Sequence, residues 1–203
     1  MKPASGAGSE ELLLDTPEAK LPQDWSRDGQ FILYQSSGAG GWDLWAMPLT
    51  DDRKPFPVVQ TKFSEREGQF SPDGKWIAYT SDETGQSQIY VQAFPKPSGK
   101  WQISVNGGVH PRWRADGKVI FYIGADRQLM AAPVRIAANG QAVEPGTPVA
   151  LFATELPDTA VGPNTRPPYV VSADGQRFLV RQPAQREGAT APPITVLLNW
   201  KGN

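Results

Sequence analysis

A chain of 203 residues and 22.1 kDa is long enough for one ordinary domain, or for several small repeats that share a core, and too short for two full domains. Its 20 Lys and Arg residues nearly balance its 21 Asp and Glu residues, so no strong overall field draws the chain to nucleic acid or to an anionic membrane. There are no cysteines, which excludes disulfides, thiolate zinc sites and cysteine nucleophiles without fixing the compartment.

Residues 1–20 are predicted to form an N-terminal segment outside the repeats that follow. This segment contains only a short apolar run, unlike the longer apolar core of a signal peptide. No stretch of the chain approaches the roughly 20 apolar residues that span a bilayer. We therefore expect a soluble chain without a membrane span, and we expect residues 11–16 to form an unpaired outer strand.

A ten-residue pattern occurs four times along the chain. The copies are WSRDGQFILY (25–34), FSPDGKWIAY (70–79), WRADGKVIFY (113–122) and VSADGQRFLV (171–180). In each copy Asp tolerates the third position of a turn and the following Gly supplies a positive φ, so the pattern predicts a β-hairpin. The apolar run after the Asp-Gly pair predicts a second strand that is buried on both faces.

Two further strand-like segments follow most of these hairpins. Third strands are predicted at 42–49, 87–94, 127–134 and 194–200, and fourth, outer strands at 54–61, 100–106 and 147–154. The glycine-rich stretch SSGAGGWD (36–43) joins two strands without a following helix, so we interpret it as a hairpin and not as a phosphate-binding loop. The predicted unit is a four-stranded antiparallel meander.

The corner aspartates at positions 28, 73, 116 and 174 are 45, 43 and 58 residues apart. This period is typical of β-propeller blades, which gives an all-β fold of about four blade units. The units are expected at 21–61, 62–106, 107–154 and 165–200. Three arrangements follow: residues 11–16 complete the last blade and close a small ring, the chain is part of a six-bladed ring, or a second copy completes the ring as a homodimer.

The pattern SPDGKWIAY followed by the strand IYVQAF resembles the WD40-like (PD40-type) repeat of TolB-like propellers. The stretch FPKPSGKWQISVNGGVHPRWRADGKVIFY and the tail PPITVLLNW are similar to the C-terminal propeller regions of bacterial receptor-like serine/threonine protein kinases. The resemblance begins at about Leu21. It implies a sensor or scaffold propeller, usually six-bladed, on the periplasmic or extracytoplasmic side. It brings no kinase chemistry, because the chain lacks the phosphate loop and the catalytic Asp loop.

Charged residues just before the first, inner strand of each hairpin are candidates for a binding site at the mouth of a central channel. They are Asp24, Arg66, Glu67, His110, Arg112 and Arg166. Converging charges at such a funnel favour an anionic or peptidic partner, whereas solvated rim charges are the alternative. The only histidine, His110, is either a pH-sensitive ligand contact or a loop residue that caps a strand, and we favour the loop residue.

No cofactor or metal is expected. One Asp in each turn does not bring together the six to eight oxygens that Ca²⁺ requires, and the chain has no G-x-S-x-G element of a serine hydrolase. The aromatic residues Trp25, Trp76, Trp113 and Phe70 are assigned to the core between blades, not to a platform for sugars or single-stranded nucleic acid. The Pro- and Ala-rich segment 182–193 is interpreted as a long hairpin loop.

These patterns favour a non-catalytic propeller module that binds a protein, peptide or envelope ligand, as a portion of a larger TolB-like or kinase-linked protein. No nucleic-acid partner is expected. The alternative is a propeller-type hydrolase or lyase at the central channel, for which Asp24, Glu67 and His110 provide the groups, or the propeller domain of a peptidase.

Overall fold

A computed structural model of the chain describes residues 1–50, 52–156, 167–181 and 195–197. Within these ranges the protein is built from β-strands and contains no helix, which confirms the predicted all-β class. It follows that none of the described segments is a helix long and apolar enough to cross a membrane.

The first two sheets are four-stranded and antiparallel, with their strands in chain order, as the meander prediction requires. The first sheet consists of β1 (Lys20–Trp25), β2 (Phe31–Gly38), β3 (Gly41–Pro48) and β4 (Phe56–Val59). The second sheet consists of β5 (Glu65–Phe70), β6 (Trp76–Ser81), β7 (Gln88–Ala93) and β8 (Lys100–Gln102). Gly38 pairs with Gly41, so the glycine-rich stretch is the predicted hairpin.

The third and fourth sheets depart from this plan at their outer edges. The third sheet consists of β9 (Val109–Trp113), β10 (Val119–Ile123), β11 (Gln128–Ile136), β12 (Val143–Pro145) and β13 (Val149–Ala153). The fourth sheet, as far as it is described, consists of β14 (Tyr169–Val171), β15 (Phe178–Val180) and β16 (Thr195–Leu197).

The outer edge of the third sheet is formed by two short strands and not by one. The nine residues of β11 are long enough to pair with β12 through one end and with β13 through the other. Pro133 lies between these two pairings and has no amide hydrogen to donate, while its carbonyl accepts the Gly146 amide at 2.7 Å. The prediction of a single outer strand at 147–154 therefore missed β12.

The Asp-Gly corners are the predicted hairpin turns. In the second sheet the Ser71 hydroxyl donates to Asp73 Oδ1 at 2.5 Å and accepts the Trp76 amide at 3.0 Å. Asp73 Oδ1 also accepts the Lys75 amide at 3.2 Å. Gly74 has a φ of 70°, a conformation that glycine adopts without the steric cost that a Cβ would add. Side chain and backbone thus hold the corner together.

The corner is repeated with one chemical variation. Ser26 and Ser172 donate to their corner aspartates as Ser71 does. In the third copy Arg114 stands in place of the serine, and its guanidinium donates two hydrogen bonds of 2.8 Å to Asp116. These charged hydrogen bonds hold the pKa of Asp116 below its usual value. The corner therefore needs a donor to the aspartate, not serine in particular.

Successive sheets pack face to face, with alternate residues of each strand in different contacts. In β6, Ile77 and Tyr79 pack in the cluster shared with the first sheet, whereas Trp76 and Ala78 pack in the cluster shared with the third sheet. All four side chains are buried. The prediction that the second hairpin strand is buried on both faces is thus confirmed for the second sheet.

The same alternation continues into the last sheet. Phe178 and Val180 of β15 pack against Phe121 and Ile123 of β10. The rings of Phe121 and Phe178 meet edge to face with 5.0 Å between their centroids. The described sheets therefore follow one another in an open series of blade-like units and do not close a ring.

Residues 11–16 form no strand, so the expected outer strand at this place is wrong. The segment does not complete the last sheet, since Leu14 and Thr16 lie beside Tyr34 and Trp45 of the first sheet. Pro17 follows directly and has no amide hydrogen for a strand ladder. Closure of a small ring by this segment is therefore not observed.

Three of the four aromatic residues assigned to the core are buried there. Phe70, Trp76 and Trp113 lie in the contacts between sheets. Trp25, however, is 50% exposed. The reason is positional, because Trp25 faces the side of the first sheet on which no other described sheet packs.

Replacing Ser71 with Ala should destabilise the protein by about 2 kcal/mol, because the buried Trp76 amide and the Asp73 carboxylate each lose a hydrogen-bond partner. Equilibrium urea denaturation measures the change. The exposed Ser98 serves as the matched control, and its replacement by Ala should leave the midpoint unchanged. Equal midpoints for both variants would contradict the role assigned to the corner.

Candidate functional site

The candidate binding residues lie within the first strands of the sheets and not before them. They are Asp24 in β1, Arg66 and Glu67 in β5, and His110 and Arg112 in β9. The strands β5 and β9 begin earlier than expected, at Glu65 and Val109, and so include these positions. Arg166, the sixth candidate, lies outside the described residues.

The first strands of neighbouring sheets are joined by hydrogen bonds from backbone to side chain. The Phe70 amide in β5 donates to Asp24 Oδ2 in β1 at 2.9 Å. One sheet further on, the Trp113 amide in β9 donates to Gln69 Oε1 in β5, also at 2.9 Å. The repeated bond places β1, β5 and β9 side by side, as the inner strands around the axis of the series.

Each inner strand of the first three sheets is interrupted by an irregularity in pairing. In β5 and β9 the interruption coincides with a residue in the left-handed region, Glu67 with a φ of 56° and His110 with a φ of 58°. Both stand three residues before the aromatic residue of the hairpin pattern. Such a bulge redirects a side chain, at a backbone cost on the order of 1 kcal/mol.

Glu67 and His110 form a buried polar pair between the second and third sheets. Glu67 Oε1 lies 2.6 Å from His110 Nδ1, and Glu67 Oε2 accepts the His110 amide and the Thr80 hydroxyl, each at 2.7 Å. The two residues are only 6% and 0% exposed. A carboxylate buried to this extent needs such partners, because burial without them is costly.

The polar contacts continue into the fourth sheet. The Tyr169 hydroxyl donates to the His110 carbonyl oxygen at 2.8 Å, and burial raises the pKa of Tyr169. His110 thereby joins three sheets. It lies in β9 and is buried, so the expectation of a strand-capping loop residue is wrong. Glu67 and His110 therefore link neighbouring sheets in this structure.

Asp24 in β1 and Arg112 in β9 are both half-buried. Asp24 accepts the Phe70 amide and, through its other oxygen, the Trp25 amide at 2.9 Å. Burial raises the pKa of Asp24, while the positive charge of Arg112 lowers it. Arg112, which belongs to the third sheet, is therefore close enough to act on a carboxylate of the first sheet. Its Nη1 donates to the Pro111 carbonyl at 3.0 Å.

Arg66 is held at two points and has donor capacity left. Its Nε donates to Ser64 Oγ at 2.8 Å, and its guanidinium lies 5.8 Å from the ring centroid of Trp42, which is a cation–π contact. Its Nη1 is buried and has no hydrogen-bond partner in the described part of the chain. Burial lowers the pKa of Arg66, which the charges of Asp82 and Glu67 oppose.

Glu65, beside Arg66, was not among the candidates. It is buried, its Oε1 accepts the Thr61 hydroxyl at 2.6 Å, and burial raises its pKa. Its other oxygen has no hydrogen-bond partner among the residues that the structure describes. A signal was present in the sequence, because Glu65 opens the run Glu-Arg-Glu-Gly in front of the aromatic residue, where each position belongs to the inner strand.

The arrangement offers hydrogen-bond donors and charges, but no assembled metal site. Within the described ranges, no group of three or more His, Asp or Glu side chains is placed to hold a metal ion. A groove of about 510 Å³ lies elsewhere, between the Asp-Gly corners of the second and third sheets. Trp76 and Trp113 form part of its lining, yet both are almost wholly buried and serve the core.

The fold and these inner strands are those of β-propeller blades, and comparisons with known proteins specify the type. No family model matches the chain. An uncharacterized protein of Agrobacterium fabrum, Atu1656, is 30% identical over 88 residues, which is 41% of this chain and 24% of the relative. The Tol-Pal system protein TolB of Anaeromyxobacter dehalogenans is 29% identical over 86 residues, 42% of this chain and 19% of that protein.

Solved structures agree with these matches. TolB from Acinetobacter baumannii superposes with a TM-score of 0.64 and 22% identity, over 91% of this chain and 42% of that one. A TolB-type structure from Agrobacterium tumefaciens superposes with a TM-score of 0.52 and 22% identity, over 72% of this chain and 55% of that one. The chain has a TolB-like β-propeller fold, and it spans less than half of the A. baumannii protein.

Removing the Glu67 side chain should be strongly destabilising. Glu67→Ala removes the buried acceptor of the His110 amide and of the Thr80 hydroxyl, so we expect a loss of about 3 kcal/mol in the free energy of unfolding. Chemical denaturation checks this value, and Glu67→Gln should lose less. Glu144→Ala, which removes an exposed ion pair with Arg135, is the control. A loss below about 1 kcal/mol would refute the buried role.

The pKa of Asp24 predicts a pH dependence with a defined sign. Because burial raises the folded-state pKa, the stability contributed by Asp24 is complete below its unfolded value near 3.8 and is lost as the pH rises through the folded-state pKa. Asp24→Asn, which does not titrate, should therefore gain stability relative to the parent chain between acid and neutral pH, as measured by denaturation at several pH values.

Asp174 supplies the control with the opposite sign. Its pKa is lowered, chiefly by the Ser172 hydroxyl, so its stabilising contribution is present above the unfolded value and is lost on acidification. Asp174→Asn should fall relative to the parent chain as the pH rises. Parallel trends for the two variants would contradict the assignment of Asp24.

Proposed function

We propose that this chain is a non-catalytic binding module that takes up a protein or peptide partner along its inner strands. The observation that carries the proposal is the half-buried guanidinium of Arg66 on an inner strand, whose Nη1 has no hydrogen-bond partner among the described residues. Buried donors in folded proteins are almost always paired, so such a group calls for an acceptor. A carboxylate or a backbone carbonyl of a bound peptide is an acceptor of the right kind.

The neighbouring groups define the chemistry of the proposed partner. Arg66 and Arg112 are two half-buried cations on the inner strands of adjacent sheets, and the charge of Arg112 acts on the half-buried carboxyl group of Asp24. Charge-assisted hydrogen bonds from guanidinium to carboxylate are stronger than neutral ones, and partial burial reduces their screening by salt. The proposed partner is therefore an extended peptide segment that carries carboxylates.

The relatives support the class of function. Proteins similar to this chain carry the name Tol-Pal system protein TolB, and the likeness in fold extends over most of the described sheets. By this likeness we propose an extracytoplasmic location and an envelope protein as the source of the peptide. Because the chain spans less than half of such a protein, the proposal concerns the blades present here. Association with a kinase stays a prediction from the sequence.

The enzymatic alternative depends on Asp24, Glu67 and His110, and the geometry does not favour it. Glu67 and His110 are buried and bonded to each other, and the amide and hydroxyl partners of Glu67 are part of the contact between sheets. A general acid or base has to reach the proton that it transfers. The proposed binding role requires only hydrogen-bond donors on the inner strands, such as the guanidinium groups of Arg66 and Arg112.

Labelled peptides test the proposal by fluorescence anisotropy. A panel of extended peptides rich in Asp and Glu, each paired with its Asn and Gln counterpart, is titrated with the 203-residue chain. We expect the acidic peptides to bind about tenfold more tightly than their neutral counterparts or better, a difference of about 1.4 kcal/mol. Arg66→Gln and Arg112→Gln should each remove most of this difference.

Arg135 provides the matched control for these two variants. It is an exposed arginine on β11, away from the inner strands, and Arg135→Gln should bind like the parent chain. Equal affinities for acidic and neutral peptides, or an equal loss in all three variants, would reject the proposed site.

A further inference from the structure

The repeat predicts which side chains of each sheet face the sheet before it and which face the sheet after it. In β6, Ile77 and Tyr79 face the preceding sheet, and Trp76 and Ala78 face the following one. This rule also assigns the two outward faces of the series, on the first sheet and on the last. No described sheet covers either face.

The outward face of the first sheet carries an aromatic residue at a repeat position that is buried between sheets elsewhere in the series. Trp25 occupies the same repeat position as Phe70 and Trp113, which are buried against the preceding sheet. Trp25 is 50% exposed, and Leu21 of the same strand is also exposed. The chemistry that fits this face is therefore the apolar face of another blade.

The outward face of the last sheet displays the matching apolar residues. Leu179 takes the repeat position of Ala78, which faces the following sheet in the interior of the series. Val170 pairs with Leu179 across β14 and β15, and the two side chains are 56% and 40% exposed. Together they form an exposed apolar pair on a sheet whose other face packs through Phe178 and Val180.

The two outward faces also differ from the interior in the acceptors that they offer to backbone amides. Inside the series, Asp24 and Gln69 of one sheet accept the amides of Phe70 and Trp113 of the next. At the same position the third sheet has Arg112 and the last sheet has Val170, and neither side chain offers an acceptor.

The first sheet needs no acceptor from outside, because the Trp25 amide already donates to its own Asp24 at 2.9 Å. The last sheet can therefore cover Trp25 without leaving that amide unpaired, which a buried amide does not tolerate cheaply.

The charged residues on the two outward faces are mainly of opposite sign. By the alternation of β15, Arg177 and Arg181 lie on the outward side of the last sheet with Leu179, and both are exposed. On the first sheet, Glu18 lies close enough to Tyr34 that its charge adds to the burial that raises the pKa of Tyr34 to about 12. Lys20 offsets this charge in part, since its Nζ lies 3.8 Å from Glu18.

Asp43 lines the same groove as Glu18, on the outward side of the first sheet. The acidic groove and the basic, apolar face are complementary in sign, which steers association and fixes orientation.

We propose that the last sheet of one copy of this chain packs on the first sheet of a second copy, with Val170 and Leu179 against Trp25. The contact extends the stacking of the interior by one more pair of sheets. It is heterologous, since the two surfaces differ, so the copies close into a ring or continue as a chain according to the rotation between them.

Self-association of the 203-residue chain tests the proposal by sedimentation velocity over a wide range of protein concentration. We expect a mass above that of one chain that falls on dilution. Trp25→Asp and Leu179→Asp should each raise the midpoint concentration by about tenfold or more, because each buries a charge in an apolar contact. Val149→Asp is the matched control, since Val149 is 51% exposed on the outer strand β13.

Mixing the variants separates this contact from any other. The Trp25→Asp chain retains an intact last sheet and the Leu179→Asp chain an intact first sheet, so together they should form a one-to-one dimer that neither forms alone. Circular dichroism confirms that each variant is folded. A parent chain that is monomeric at every concentration, an equal effect of Val149→Asp, or a mixture that stays monomeric would overturn the proposal.

Discussion

Burial of both faces of a sheet is the constraint on which the rest of this protein depends. Successive residues of a strand point to opposite faces, so each step along a strand belongs either to the preceding contact or to the following one. Ile77 and Phe178 occupy the same step in different sheets, and both face the preceding sheet. A slip of one residue would exchange the faces, so the Asp-Gly corner fixes which side chains meet between sheets as well as the local turn.

The same close stacking explains why polar side chains line the inner strands. Where two inner strands approach, backbone amides are withdrawn from water, and Asp24 and Gln69 accept them across the contact. Glu67 does the same for His110. A carboxylate on an inner strand is therefore first an acceptor between sheets, and its presence does not by itself indicate a ligand. Arg66 differs, because part of its donor capacity has no partner among the described residues.

The hairpins and most strands could be predicted because the chemistry of an Asp-Gly corner is local. The division of the third outer edge into β12 and β13 could not, since it depends on how far β11 extends past Pro133. The candidate residues were found as charges near the inner strands, but their separation into a buried pair and a half-buried set depends on left-handed bulges that tertiary packing imposes. The sequence does show that Glu67 and His110 share one repeat position, because each stands three residues before the aromatic residue of its hairpin pattern.

Departures from the repeat therefore carry information that the repeat itself does not. The position at which Gln69 accepts the amide of the next sheet is occupied by Val170 on the last sheet. On the first sheet, the amide that such an acceptor would serve is that of Trp25, and it is already paired with Asp24 of its own strand. Whether the buried polar groups between two stacked sheets all have hydrogen-bond partners depends on both sheets of the contact and not on either sheet alone. An apolar residue at this position leaves no buried amide without an acceptor when it packs against a strand whose amide is already paired, as the Trp25 amide is in β1.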